Sequence, residues 1–129
     1  MSNKKYQVTV RTDPQDAPKD HEMSAALIMA NHFKTDIIFL RPDRYKTPDF
    51  DINGTKWEPK SPTGSGKKTM ENNLRSARKQ SNRVVIDLRR CRLHQIRALS
   101  RIKFYLDTDN HDLQQVKVIT KSRKIIDIL

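Results

Sequence analysis

Asp49 and Glu58 are two carboxylates set to face each other across a hairpin, and Lys60 follows on the same face. Residues 47–60 read Thr-Pro-Asp-Phe-Asp-Ile-Asn-Gly-Thr-Lys-Trp-Glu-Pro-Lys. Asn-Gly between two strand-like runs is the strongest short hairpin signal, and a two-residue turn fixes the register. Ile52 then opposes Thr55, Asp51 opposes Lys56, Phe50 opposes Trp57, and Asp49 opposes Glu58. Alternation puts Phe50, Ile52, Thr55, Trp57 and Pro59 on one face, and Asp49, Asp51, Lys56, Glu58 and Lys60 on the other. Opposed Cβ atoms lie roughly 4.5–5.5 Å apart, so two carboxylates there repel unless a cation separates them. A hard divalent cation takes oxygen ligands. Such a cation beside a fixed ammonium is equipment for phosphodiester hydrolysis. The same charges read equally well as a solvated sheet face balanced by Lys56 and Lys60.

Other residues extend either reading. Glu22 lies one turn before Ala26 on the inward side of a predicted helix, where a carboxylate is costly unless paired or metal-bound; it is also an ordinary first-turn acid favoured by the helix dipole. Gln80, at the end of a second predicted helix, is placed to order the site or hydrogen-bond substrate, or is a surface residue. Lys67, Lys68, Arg75, Arg78 and Lys79 form either a phosphate-binding face or the wet side of that helix. Asp87 lies in an apolar strand and is expected to face the site or a basic residue. Trp57, on the apolar hairpin face, is expected in the core. His21, His32, His94 and His111 have no His-x-x-x-His spacing, which argues against a zinc site built on histidines. Gly64-Ser65-Gly66-Lys67-Lys68 lacks the full phosphate-loop pattern and reads as a flexible basic loop.

The elements that must carry these residues follow from periodicity. A short strand is predicted over 5–11, then a loop over 12–20. A helix follows over 21–33, with Asp20 as its N-cap and Met23, Ala26, Leu27, Ala30 and Phe33 as its apolar stripe. A buried strand over 36–40, a connector over 41–48 and the hairpin come next. After a loop over 61–68, a helix over 68–81 carries Met70, Leu74 and Ala77. A buried strand covers 83–88. A third helix over 92–105 puts Leu93, Ile96, Leu99 and Phe104 roughly on one side. Strands over 115–120 and 124–129 close the pattern. This is an α/β fold with a mixed sheet and flanking helices.

At 129 residues the chain is expected to form a single domain, 1–129. Its 26 Lys and Arg against 15 Asp and Glu give a net charge of +11, which makes nucleic acid the leading partner ahead of an acidic protein or anionic membrane. One cysteine, Cys91, excludes an internal disulfide and a Cys-rich zinc site. No apolar run reaches the roughly 20 residues of a membrane span.

Pro48-Asp49 followed after eight residues by Glu58-Pro59-Lys60 resembles the PD-(D/E)XK nuclease superfamily. The predicted order helix, three strands, helix, strand is similar to that superfamily's core. Here it covers about 20–106, with a C-terminal helix and strand pair added. Trp57 to Ser61, the segment Ala77-Arg78-Lys79-Gln80-Ser81 and the strand Val84 to Leu88 resemble, more narrowly, the C-terminal tRNA-nuclease toxin domains of contact-dependent growth inhibition systems. The resemblance implies that Glu22, Asp49 and Glu58 hold a divalent metal, Mg²⁺ foremost with Mn²⁺ or Zn²⁺ as substitutes. It implies Lys60 as the catalytic lysine and Gln80 on the rim. It also implies a tRNA substrate, an acidic immunity protein as partner, delivery from another cell by a larger carrier, and action in the cytoplasm. Two departures stand out. Pro59 interrupts the motif and suggests an edge or a bulge. A second Pro-Asp, Pro42-Asp43, competes with the first, and Asp49 is preferred because it opposes Glu58. The alternatives are a DNA endonuclease of the same fold, a metal-independent RNase toxin using residues such as His94 or His111, and a non-catalytic nucleic-acid-binding module.

Overall fold

The computed structural model describes residues 5–40 and 50–129. The expected Asp49 and its competitor Asp43 lie outside them. Among the described residues there are seven strands and three α-helices, in two compact units divided between Trp57 and Glu58.

The first unit holds β1 (Val8–Val10), α1 (Asp20–Phe33), β2 (Ile37–Phe39), β3 (Phe50–Ile52) and the start of β4 (Thr55–Lys60). β1 pairs parallel with β2, and β2–β3 and β3–β4 pair antiparallel, so this sheet is mixed. The hairpin register is the predicted one: Ile52 opposes Thr55, Asp51 opposes Lys56 and Phe50 opposes Trp57. Its turn works because Asn53 and Gly54 both take positive φ, 54° and 79°, as such hairpin turns require. Asp51 Oδ1 accepts from Gly54 N at 2.8 Å, and Thr35 Oγ1 donates to Asn53 Oδ1 at 2.9 Å. Alternation then buries Phe50, Ile52 and Trp57. Phe33 of α1 meets Trp57 with ring centroids 5.6 Å apart, and Phe39 meets Phe50 edge-on at 4.8 Å.

α1 differs from its predicted stripe. The buried residues are Ala25, Ala26, Met29 and Ala30, while Leu27 is exposed. A helix of this length presents one contiguous strip. The small alanines let it lie close to the strands, and Leu27 falls beyond that strip. Its N-cap is Lys19 rather than Asp20. Lys34 ends it in the left-handed conformation, φ 55°.

The second unit contains the rest of β4, α2 (Thr69–Ala77), β5 (Arg83–Asp87), α3 (Gln95–Thr108), β6 (Gln115–Ile119) and β7 (Ile125–Asp127). β4–β5 and β5–β6 pair parallel and β6–β7 antiparallel, a second mixed arrangement. Parallel neighbours need crossovers, and α2 and α3 supply them. Met70, Leu74 and Ala77 of α2 are wholly buried as predicted, against Val84, Ile86, Val116 and Val118 of the strands and Ala98, Ile102 and Tyr105 of α3. Burial of Met70 and Leu74 contributes about 1.5–3 kcal/mol each. α3 starts later than expected, and of its predicted side Leu93 and Leu99 pack against the core while Ile96 is 71% exposed and Phe104 54% exposed. The reading by threes from Leu93 drifts around the helix, whereas Ala98, Ile102 and Tyr105 keep the true i, i+4, i+7 spacing. No helix among the described residues is long and apolar enough to cross a membrane.

Candidate functional site

The second unit opens on Glu58. Trp57 turns into the aromatic core of the first unit, so alternation sends Glu58 and Lys60 to the other face of β4. Glu58 pairs in register with Val84, Pro59 with Val85, and Lys60 with Ile86. Pairing runs through Pro59 without the bulge that its ring suggests.

Glu58 is 0% exposed. A carboxylate removed from water is costly to keep charged unless cations or donors compensate. Lys60 is half-buried, and its Nζ donates to Ser76 Oγ of α2 at 3.2 Å. The helix thereby fixes where the ammonium sits. Gln80 lies beyond the helix expected to carry it: α2 stops at Ala77, and Gln80 N donates to Ala77 O at 2.9 Å in the turn leading to β5. Four residues further on is Val84, the register partner of Glu58. Gln80 Oε1 and Ser61 Oγ are buried with no hydrogen-bond partner among the described residues. Each such atom forfeits about 1–3 kcal/mol unless a water or ligand satisfies it. Ser61 and Ser76 were not singled out in the sequence. Ser61 directly follows the Glu-x-Lys run, which is the signal that could have marked it.

Glu22 sits in the first unit and closes half of a capping box: its Oε1 accepts from Lys19 N at 2.8 Å. The first-turn role weighed in the sequence is therefore present. Among the described residues, no three His, Cys, Asp or Glu side chains group closely enough to hold a metal ion. The hard oxygens of buried Glu58 nonetheless suit Mg²⁺ chemistry.

The basic residues separate into two sets. Lys67, Lys68 and Lys79 are exposed to solvent. Arg75 and Arg78 instead reach α3 and the segment after it. Both lie near Asp109 Oδ2, at 3.8 and 3.9 Å, and Arg78 also approaches Asp112 Oδ1 at 3.7 Å. Arg78 Nη1 donates to Tyr105 Oη at 3.1 Å. That hydrogen bond is the main cause raising the Arg78 pKa above its ordinary value.

Asp87 is buried and meets a basic residue, as one of its two expected settings required. Arg89 forks onto it through Nε at 2.9 Å and Nη2 at 2.7 Å, and Arg89 N adds a third donor at 3.0 Å. The Arg89 pKa is raised, chiefly by this hydrogen bonding. His94 caps α3 by accepting from Ile96 N at 3.3 Å. His111 accepts from Leu113 N at 3.1 Å and bonds Leu106 O at 3.0 Å.

Comparison with known proteins supplies the family. No curated protein gives a significant match. Among solved structures, the chain is similar to one in the CdiA-CT/CdiI toxin and immunity complex from Burkholderia pseudomallei, with a TM-score of 0.65 and 20% sequence identity, covering 93% of this chain and 98% of that one. At that identity the likeness concerns the fold. The sequence family described as the contact-dependent growth inhibition CdiA C-terminal domain matches residues 46–125, well over half of the chain. The chain thus belongs to the contact-dependent growth inhibition CdiA C-terminal domain family.

Proposed function

We propose that this chain is a toxin domain that hydrolyses phosphodiester bonds in RNA, with tRNA the expected substrate and a divalent metal the cofactor. The observation that carries the reading is Glu58, a wholly buried carboxylate two residues before a lysine whose ammonium is steered by α2. Membership in a family of growth-inhibition toxin domains supports a toxic activity, and the net charge of +11 supports a polyanionic substrate.

In this reading Glu58 supplies a metal-binding carboxylate of a PD-(D/E)XK-type motif. When bound, a divalent cation supplies Lewis acidity at the scissile phosphate and acidifies water. Lys60, held by Ser76, offsets negative charge that grows on the phosphate oxygens. Gln80 Oε1 accepts a hydrogen bond from substrate or ordered water, and Ser61 Oγ accepts or donates one. Water adds to phosphorus and gives up a proton to solvent, the bond to the sugar oxygen breaks with its electron pair going to that oxygen, and solvent returns a proton to it, so one water is consumed per bond cut. The family name supports delivery as part of a larger carrier, and the similar toxin–immunity complex supports a cognate immunity protein. An acidic one would suit this surface charge.

The histidine-based alternative is disfavoured because His94 and His111 already serve α3 and the segment after it. The test is incubation of purified protein with total RNA and, separately, with plasmid, in Mg²⁺ or Mn²⁺ and in EDTA. Metal-dependent RNA cleavage that Glu58→Gln abolishes supports the reading. Cleavage of plasmid alone assigns DNA, and EDTA-resistant RNA cleavage overturns the metal. Salt-sensitive binding with no product in any arm leaves a non-catalytic module.

A further inference from the structure

Between α2 and α3 lies a groove of about 210 Å³ lined by Glu71, Arg75, Phe104, Tyr105, Thr108 and Asp109. Most of its wall is fixed. Tyr105 is buried, and its hydroxyl is held by Arg78. The Arg75 guanidinium lies 5.9 Å from the Tyr105 ring centroid, and Asp109 lies 3.8 Å from it. Phe104 is different. It leaves 54% of its surface in water at the edge of a pocket, which nothing in the packing of α3 requires.

Helical spacing places Arg97, Arg101, Phe104 and Thr108 in one stripe along α3. The stripe is about 16 Å long at the rise of an α-helix. Two cations thus lead along the helix into a groove with an aromatic rim. We infer that this groove seats an unpaired nucleobase of single-stranded nucleic acid, with Phe104 stacking on the base and Arg97 and Arg101 on the flanking phosphates. Aromatic stacking with a cationic backbone track is how single strands are bound with little regard to sequence. The Glu71 and Asp109 carboxylates favour a base over an acidic polypeptide. They accept hydrogen bonds from the N–H groups on a base edge, which carboxylate side chains do not offer. The assignment rests on the nucleic-acid substrate proposed above.

The test is fluorescence anisotropy with a short, labelled, 2′-O-methyl single-stranded oligoribonucleotide in EDTA, which separates binding from cleavage. Phe104→Ala is exposed enough to fold, and its thermal melt is recorded alongside. It should weaken binding roughly 5- to 100-fold, the range for loss of one base-stacking ring. Arg97→Ala and Arg101→Ala should each flatten the salt dependence by about 0.7 in log–log slope. Unchanged affinity of Phe104→Ala for the oligonucleotide overturns the assignment. So does a Phe104→Ala defect seen with poly-L-glutamate and absent with the oligonucleotide, which would reassign the groove to an acidic protein. The two proposals fail separately. If Glu58→Gln cleaves like the parent while Phe104→Ala binds poorly, the groove stands and the nuclease site falls. If Glu58→Gln is inactive while Phe104→Ala binds normally, the nuclease site stands and the groove falls.

Discussion

Glu58 and Asp87 are buried carboxylates on neighbouring strands, and each is followed two residues later by a cation: Glu58-Pro59-Lys60 and Asp87-Leu88-Arg89. The spacing is the same and the outcome is not. Arg89 folds back and forks onto Asp87, with a backbone donor added. Lys60 sends its ammonium to Ser76 on the next helix. A planar guanidinium closes bidentately on a carboxylate, whereas an ammonium is a point charge on a flexible stem. The Asp87 pair occupies the strand end and completes itself within three residues. The Glu58 segment spreads its acid, ammonium and helix hydroxyl along β4 and α2. The difference teaches that an acid-x-base spacing does not announce an ion pair. The identity of the base and the element packed beside it decide.

This contrast can be broken by substitution. The largest effect is expected at Glu58. Glu58→Gln should lower RNA cleavage by about 1,000-fold or more, the several kcal/mol that metal assistance supplies, while its urea midpoint stays at or above the parent's because a buried charge is removed. Asp87→Ala should do the reverse. It strands Arg89 in a largely buried site and should cost about 3–5 kcal/mol in urea unfolding, with cleavage retained at temperatures where the variant is folded. Because the Arg89 pKa is raised, its contribution is complete below the ordinary arginine value and fades only above it. The stability gap between parent and Asp87→Ala should therefore stay constant from neutral to moderately alkaline pH. Next in size is Lys60→Ala, expected to slow single-turnover cleavage on the order of 100-fold, as loss of one charge-stabilising donor does. Smallest is Ser76→Ala, which removes one hydrogen bond worth about 1 kcal/mol and should slow cleavage several-fold. If Ser76→Ala matches Lys60→Ala in size, the serine does more than steer the lysine.

Much of this frame was legible in the residues. Asn53-Gly54 dictates two consecutive positive φ values, and those dictate the register that brings Phe50 opposite Trp57. Met70, Leu74 and Ala77 were legible because one helix face meets one partner layer. Elsewhere tertiary context intervened. The stripe of α3 was legible in part: Leu93 and Leu99 pack against the core, whereas Ile96 and Phe104 stay in water. α2 was read too long because Arg78, Lys79 and Gln80 are good helix formers. Yet the chain must turn there to enter β5, and backbone bonds to Ala77 close that turn. Glu22 was legible as a first-turn acid, but its hydrogen bond to Lys19 depends on the path into α1. Ser76 carried no signal, since a hydroxyl on a helix face gains meaning only from the lysine it meets.

The Asn53-Gly54 turn also sets an order in time. β3 and β4 are joined by so little chain that bringing them together costs almost no loop-closure entropy, and such hairpins form in about 1–10 μs. β5 and β6 cannot pair until the whole of α3 has been accommodated between them. β4 therefore comes to hand early as a template, with Thr55 to Trp57 already paired, and the segment from Glu58 to Lys60 waits for β5. A chain refolding from the unfolded state would regain its hairpin first and its buried carboxylate later.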